Sequence, residues 1–211
     1  MSKYTGPKCK LCKKYGEKLY LKGDRCWSDK CPAAKETPSG GGSGTKTFRK
    51  QKSEYAIHLQ EKQKSRILFG LGEKQLRKVF NDVSRKKGIK GENLLSALSR
   101  RLDNVIYRLT MTSSLPQARQ IVGHRFVKVN GRVCNFPSRE LKTGDKISFT
   151  EKGKKIDSVK KSLEHSGSKN IPDWLKLEKD TMTGTIDRDI TSEDLIQAGI
   201  DQRLIVEFYS R

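Results

Sequence analysis

Apolar positions along the chain recur mostly at helical spacing, with a short strand-like stretch past the middle. Ser53 is placed to cap a helix from Glu54 to about Phe69, which Gly70 and Gly72 end. Leu76, Val79, Phe80 and Val83 then form one apolar stripe, predicting a second helix from Glu73 to Lys87 that Gly88 stops. Arg77, Lys78, Arg85, Lys86 and Lys87 fall largely off that stripe. Residues 92–110 read as one further helix or two short ones, with Leu94, Leu95, Leu98, Leu102, Val105, Ile106 and Leu109 as the inner side.

The period then changes. Ser114 begins a shorter helix with Pro116 in its first turn, where a missing N–H costs least. Phe126, Val127 and Val129 lead into Asn130-Gly131, the strongest short hairpin signal, with Val133 on the return arm. A turn at Thr143-Gly144-Asp145 leads into Ile147-Ser148-Phe149. Residues 156–165 are expected to be helical, and 181–190 and 203–209 to be short strands. No apolar run approaches the roughly 18 residues that cross a bilayer, so no membrane partner is expected. The first ten residues have no apolar core of a secretory signal, which points to the reducing cytosol.

Charge changes the picture most. The chain has 211 residues and a formal net charge of +21. Such an excess repels itself unless a polyanion neutralises it. Its distribution is uneven: net +6 over residues 1–45, +11 over 46–101, +5 over 102–150 and −1 over 151–211. The electrostatic footprint therefore lies in the first 150 residues. Lys62, Lys64 and Arg66 alone would be a solvated helix face. Three adjoining positive segments instead suit backbone phosphates along folded RNA. No nucleophile–base pair, Gly-rich phosphate loop or carboxylate pair stands out, so no catalysis is expected. Asp187 and Asp189, flanking Arg188, read as surface carboxylates.

Four cysteines, Cys9, Cys12, Cys26 and Cys31, follow the pattern C-x2-C-x13-C-x4-C. In a reducing compartment that spacing suits one structural zinc ion with four thiolate ligands, leaving no open position for a catalytic water. His58 and His165 are not needed as ligands. Cys134 stands apart and reads as a buried small hydrophobe. Residues 36–45, Glu-Thr-Pro-Ser-Gly-Gly-Gly-Ser-Gly-Thr, form a flexible connector.

The run Arg101-Leu-Asp-Asn-Val-Ile-Tyr-Arg-Leu109, then Gln117-Ala-Arg-Gln-Ile-Val122, Val129-Asn-Gly-Arg132 and Gly144-Asp-Lys-Ile147 resembles the small RNA-binding module named after the fourth protein of the small ribosomal subunit. That module also occurs in pseudouridine synthases, a heat-shock protein and tyrosyl-tRNA synthetases. Tyr4-Thr-Gly-Pro7, Glu61-Lys-Gln-Lys64 and Val206-Glu-Phe-Tyr-Ser-Arg211 extend the resemblance over nearly the whole chain, to the bacterial small-subunit ribosomal S-four family in its zinc-bearing form.

The resemblance implies an α+β fold with four parts. These are a zinc-binding lobe and Gly-rich connector (1–45), a basic helical domain (46–98), a helix–helix–hairpin RNA-binding module (99–165) and a C-terminal segment (166–211) packing back on the helical domain. It implies a cytoplasmic constituent of the small ribosomal subunit. Such a protein binds a multi-helix junction in the 5′ region of small-subunit ribosomal RNA, nucleates assembly, lines the path by which messenger RNA enters, and meets the fifth small-subunit protein.

The implied RNA-facing residues are Arg100, Arg101, Gln117, Arg119 and Arg125 in the module, and Lys62, Lys64, Arg66, Lys86 and Lys87 in the helical domain. Arg49 and Lys50 lie toward messenger RNA. Charge reversal at Arg101 and Arg119 is expected to weaken RNA binding without unfolding the chain. Three departures stand out: the glycine-rich run 38–44 replaces a Pro- and His-containing one, Ser114-Leu-Pro116 replaces basic residues, and Arg125 replaces a common glycine. The alternatives are an RNA-modifying enzyme, or a regulator of its own messenger RNA, carrying the same module.

Overall fold

The computed structural model describes Tyr4 and residues 6–33, 53–164, 170–196 and 199–210. The connector at 36–45, Arg49, Lys50 and His165 lie outside the described residues.

Helix α1 (Lys8–Tyr15) and a 3-10 turn (Gly23–Cys26) build the cysteine lobe. Gly23 lies against the rest of the molecule: a Cβ there would sit 2.9 Å from the Ser113 carbonyl oxygen, so only glycine allows this approach. Helix α2 (Glu54–Leu68) starts as expected, with the Ser53 hydroxyl accepting from the Ala56 N–H. Helix α3 (Glu73–Ser84) buries Leu76, Phe80 and Val83 and is one turn shorter than predicted. The stretch 92–110 resolves into two helices, α4 (Lys90–Ser99) and α5 (Leu102–Arg108). The break is at Arg101, whose backbone is extended and whose neighbours pair with the 139–141 loop, Leu102 N–H donating to the Arg139 carbonyl and Leu141 N–H to that of Arg100.

Helix α6 (Leu115–Gly123) precedes β1 (Val127–Val129) and β2 (Arg132–Cys134), joined by Asn130 and Gly131, both at positive φ as a type I′ turn requires. Strand β3 (Lys146–Phe149), helices α7 (Glu151–Lys154) and α8 (Asp157–Glu164), and strands β4 (Leu175–Glu178) and β5 (Thr183–Ile186) follow. The chain ends in α9 (Ser192–Ile196) and α10 (Gln202–Ser210). The five strands form one antiparallel sheet in the order β2-β1-β3-β5-β4. Helices and an antiparallel sheet thus agree with the α+β class.

Two features correct the expectations. Residues 203–209 are helix, not strand. The run Leu204-Ile205-Val206 looks β-branched and continuous, but a short apolar run cannot be told from a buried helix by periodicity alone. Here Ile205 is buried and Tyr209, one turn on, stacks on Phe80 with ring centroids 4.7 Å apart. The C-terminal segment also divides. Strands β4 and β5 extend the module's sheet, while α9 and α10 pack on α2 and α4 of the helical domain. Of the predicted strand at 181–190, Thr183–Ile186 is formed, and its partner β4 was not anticipated.

The described residues form two apolar cores. One lies between α5, α6, α8 and the sheet and includes Leu102, Ile106, Ile121, Val127, Ile147 and Trp174. Cys134 is in it, as expected. The other joins α3, α4, α9 and α10 through Leu76, Phe80, Leu94, Leu98, Leu195 and Ile205. Among the described residues no helix is long and apolar enough to cross a membrane.

Candidate nucleic-acid interface and cysteine lobe

Cys9 and Cys12 are three residues apart on α1, so they share a helix face. Cys26 ends the 3-10 turn and Cys31 follows within the loop. All four are free thiols and line one small cavity together with Leu21 and Ala33. The Lys22 N–H donates to Cys26 Sγ at 3.4 Å. Burial pushes the Cys26 thiol up; the Lys22 N–H partly opposes this, and the neighbouring Cys31, Cys12 and Cys9 add to it. As they stand, no three His, Cys, Asp or Glu side chains among the described residues group tightly enough to hold an ion. The thiols therefore converge on a common space without forming a closed ligand shell.

In the helical domain, the basic row on α2 turns inward. Lys62 is 4% exposed, pairs with Glu73 at 2.9 Å and lies 4.7 Å from the centre of the Phe208 ring. Glu73 also accepts from the Tyr209 hydroxyl at 3.1 Å, and burial, then Glu73, raises that phenol above its usual range. Lys64 bonds the Gly199 carbonyl at 2.6 Å and Glu17 at 2.7 Å, tying α10 and the cysteine lobe to α2. His58 is buried against Glu207 at 3.0 Å. Lys62 and Lys64 were expected to face RNA; their burial against carboxylates and a carbonyl makes them clamps for the C-terminal helix and the lobe. Arg66 is half-buried on the last turn of α2, and its guanidinium has no hydrogen bond or ion pair among the described residues.

The module repeats the pattern. Asp103 is fully buried and holds two guanidiniums: Arg101 reaches it through Nε at 3.1 Å and Nη2 at 3.0 Å, and Arg119 through Nε at 2.9 Å. Arg119 also donates to the Gly70 carbonyl at 2.6 Å, stitching α6 to the loop after α2. Gln117 Oε1 accepts from both the Ser113 N–H and its hydroxyl at 2.8 Å. Arg100 pairs with Asp189 at 2.8 Å, and Thr143 donates to the same carboxylate. The Thr143 hydroxyl, then Arg100, lowers the Asp189 carboxyl. Asp187 pairs with Lys176 at 2.9 Å, and Arg188 with Asp194 at 2.7 Å, so these acids hold ion pairs.

The expectation that reversing Arg101 and Arg119 would leave the fold intact is therefore corrected. Reversal would place three negative charges around one buried site, where an unpaired charge is strongly destabilising.

The cations that remain open to solvent lie elsewhere. Lys86 is exposed, with only a long 3.9 Å contact to Glu140, and Lys87 and Arg125 are exposed. Arg77, Lys78 and Arg85, off the apolar stripe of α3, are also exposed, without a hydrogen bond or ion pair among the described residues. Their position opposite Leu76, Phe80 and Val83 was readable from helical period, yet the resemblance did not single them out. Arg132 and Arg139 in the module are exposed likewise.

Two family models match consecutive parts of the chain: the ribosomal protein S4/S9 N-terminal domain over residues 3–99 and the S4 domain over residues 100–147. They meet at the Arg100–Arg101 break between α4 and α5. Among similar proteins is the small ribosomal subunit protein uS4 of Thermoanaerobacter sp. (strain X514), 44% identical over 211 residues covering all of both chains. Another is uS4A of Symbiobacterium thermophilum, at 44% with the same coverage. The uS4 of Geobacter sulfurreducens is 43% identical over 213 aligned positions, again full length on both sides. With similarity running from end to end, the chain belongs to the bacterial uS4 family of small ribosomal subunit proteins.

Proposed function

We propose that this protein is a structural, non-catalytic constituent of the small ribosomal subunit, working in the cytoplasm within the ribosome as a binder of small-subunit ribosomal RNA. The observation that carries the reading is the division of labour among its cations. Buried Lys62, Lys64 and Arg101, with half-buried Arg119, fix the relative positions of the parts. Exposed Arg77, Lys78, Arg85, Lys87 and Arg125 are thereby presented on a fixed frame, which suits recognition of folded RNA by shape and phosphate contact. Such contacts orient a protein on RNA without reading bases.

Finer parts of the reading rest on the family resemblance. The RNA site is the multi-helix junction of the 5′ region, and binding there nucleates assembly. Arg49 and Lys50 lie toward entering messenger RNA, and the fifth small-subunit protein is a neighbour. A single zinc ion completes the N-terminal lobe, held by Cys9, Cys12, Cys26 and Cys31. Four free thiols lining one cavity, one of them already accepting a backbone N–H, suit that ion's preference for sulfur donors. Bound there, zinc would supply cross-linking and no chemistry.

Co-sedimentation tests the main reading: the chain is expected to travel with small subunits through a sucrose gradient, and its absence from that fraction would refute it. On the isolated 5′ region, log affinity is expected to fall by about 0.7–0.9 per decade of salt for each phosphate neutralised. A flat salt response would remove the electrostatic basis.

A further inference from the structure

A cavity of about 660 Å³ opens where the cysteine lobe, the end of α2 and the α5–α6 face of the module meet. That volume is in the range of sites that take a small molecule or a nucleotide, roughly 300–1,000 Å³. Its walls include Tyr20, Trp27, Arg66, Tyr107, Arg108 and Leu115. Lys8 and Arg119 also reach it, and among the described residues no aspartate or glutamate lines it. Arg119 is tied to Asp103 and the Gly70 carbonyl. The guanidiniums of Arg66 and Arg108, by contrast, have no hydrogen bond or ion pair among the described residues. Burial of Arg108 disfavours its charge, with Tyr107 and then Asp194 opposing that. Two guanidiniums without a carboxylate, facing one cavity, call for an anion.

The aromatic wall specifies more. Trp27 lines the cavity and stacks on Tyr20 with ring centroids 4.5 Å apart, yet stays 54% exposed, so much of the indole is open. Tyr20 holds a φ of +49° and Thr110, also on the wall, one of +56°. That region is uncommon for residues with a side chain, and such strain tends to collect at binding sites. An open indole face beside unpaired guanidiniums matches a flat base linked to a phosphate.

We propose that the cavity receives an unpaired nucleotide of the bound RNA, its base stacked on the Trp27–Tyr20 pair and a flanking phosphate held by Arg108 and Arg66. The proposal rests on the RNA-binding reading and adds a base-sized pocket to what would otherwise be phosphate contacts alone. It also gives the docked lobe a purpose, because Gly23 against Ser113 is what places Trp27 opposite α5.

The test uses the full chain and a transcript of the 5′ region of small-subunit ribosomal RNA, with affinity measured across a salt series. Arg108→Met keeps an apolar stem and removes the charge. It is expected to weaken binding about tenfold and to lower the salt slope by about 0.7–0.9. Arg108→Lys should restore the slope. Trp27→Leu, at an exposed position, is expected to weaken binding about tenfold with the slope unchanged, as loss of stacking would. Unchanged affinity and slope in R108M overturn the proposal. So does an R108M that lowers the melting temperature of the free protein but binds RNA normally, which would assign the cavity to another part of the chain. Failure of the unmodified chain to bind the transcript would overturn the RNA reading along with it.

Discussion

Between Leu102 and Ile186 the module buries nineteen apolar side chains in one cluster, many of them with no exposed surface at all. Across the cysteine lobe, the buried apolar residues are Cys12, Leu19, Cys26 and Cys31. Three of those four are thiols that the family resemblance gives to zinc, so without them the described part of the lobe keeps one buried leucine. Two regions of the same chain thus reach order by different means. The module has enough apolar surface to offset its conformational entropy; for the lobe, the proposed zinc cross-link would take that part. The comparison also explains why cysteine has two meanings here. Cys134 lies 3% exposed among Val127, Leu141 and their neighbours, and behaves as a small hydrophobe.

That difference is broken most sharply by treating the two kinds of cysteine alike. Chelation, or Cys26→Ser, is expected to unfold residues 8–33 and reduce bound zinc from about one per chain to none. The metal's contribution in isolated zinc peptides is on the order of 10 kcal/mol. Cys134→Ala should leave the zinc content unchanged and cost about 1 kcal/mol by loss of packing. Amide hydrogen exchange over the lobe and elemental analysis are the measurements. A lobe that keeps its protection in chelator would show that the thiols pack rather than coordinate.

A smaller effect separates apolar from ionic order within the module. Asp103, fully buried, is the single carboxylate between Arg101 and Arg119. Asp103→Asn keeps the volume but leaves Arg101, 8% exposed, without a counter-charge. A loss of about 3–5 kcal/mol in denaturant unfolding is expected. RNA affinity measured under conditions where the variant is folded should change much less. A loss under 1 kcal/mol would mean that water or a shift of Arg101 relieves the site, and that the apolar core alone orders this end of α5.

What could be read from the sequence followed the range of the interaction. The Ser53 cap, the α3 stripe and the Asn130-Gly131 turn are set by residues within a few positions, and they formed as expected. The clamps were not legible because their partners are remote. Arg119 bonds Asp103 and a carbonyl at Gly70, and Lys64 bonds a carbonyl at Gly199. A lysine between polar neighbours on a helix looks the same in sequence whether it meets water or a distant carbonyl. The same blindness hid Arg108, whereas Arg66 was named as RNA-facing; that both guanidiniums face one cavity appears only once three parts of the chain enclose it. Strand β4 was missed because its identity lies in pairing with β5, not in its own pattern of Leu175-Lys-Leu-Glu178.

The smallest expected effect isolates an arginine with the opposite character to Arg101. Arg125 is exposed and holds a φ of +63° at the end of α6, a left-handed conformation that costs a residue with a Cβ about 1 kcal/mol. Glycine would adopt that backbone without strain, at some cost in unfolded-chain entropy, so Arg125→Gly is expected to stabilise the module by about 0.5–1 kcal/mol. The fold therefore gains nothing from this arginine, and its charge must matter elsewhere if it matters at all. For an RNA contact, the same variant should raise the melting temperature while lowering RNA affinity, with the salt slope reduced by about 0.7–0.9. Higher stability at unchanged affinity and slope would remove Arg125 from the interface. The contact would then fall to the other exposed cations, Arg77, Lys78, Arg85 and Lys87 of the helical domain among them.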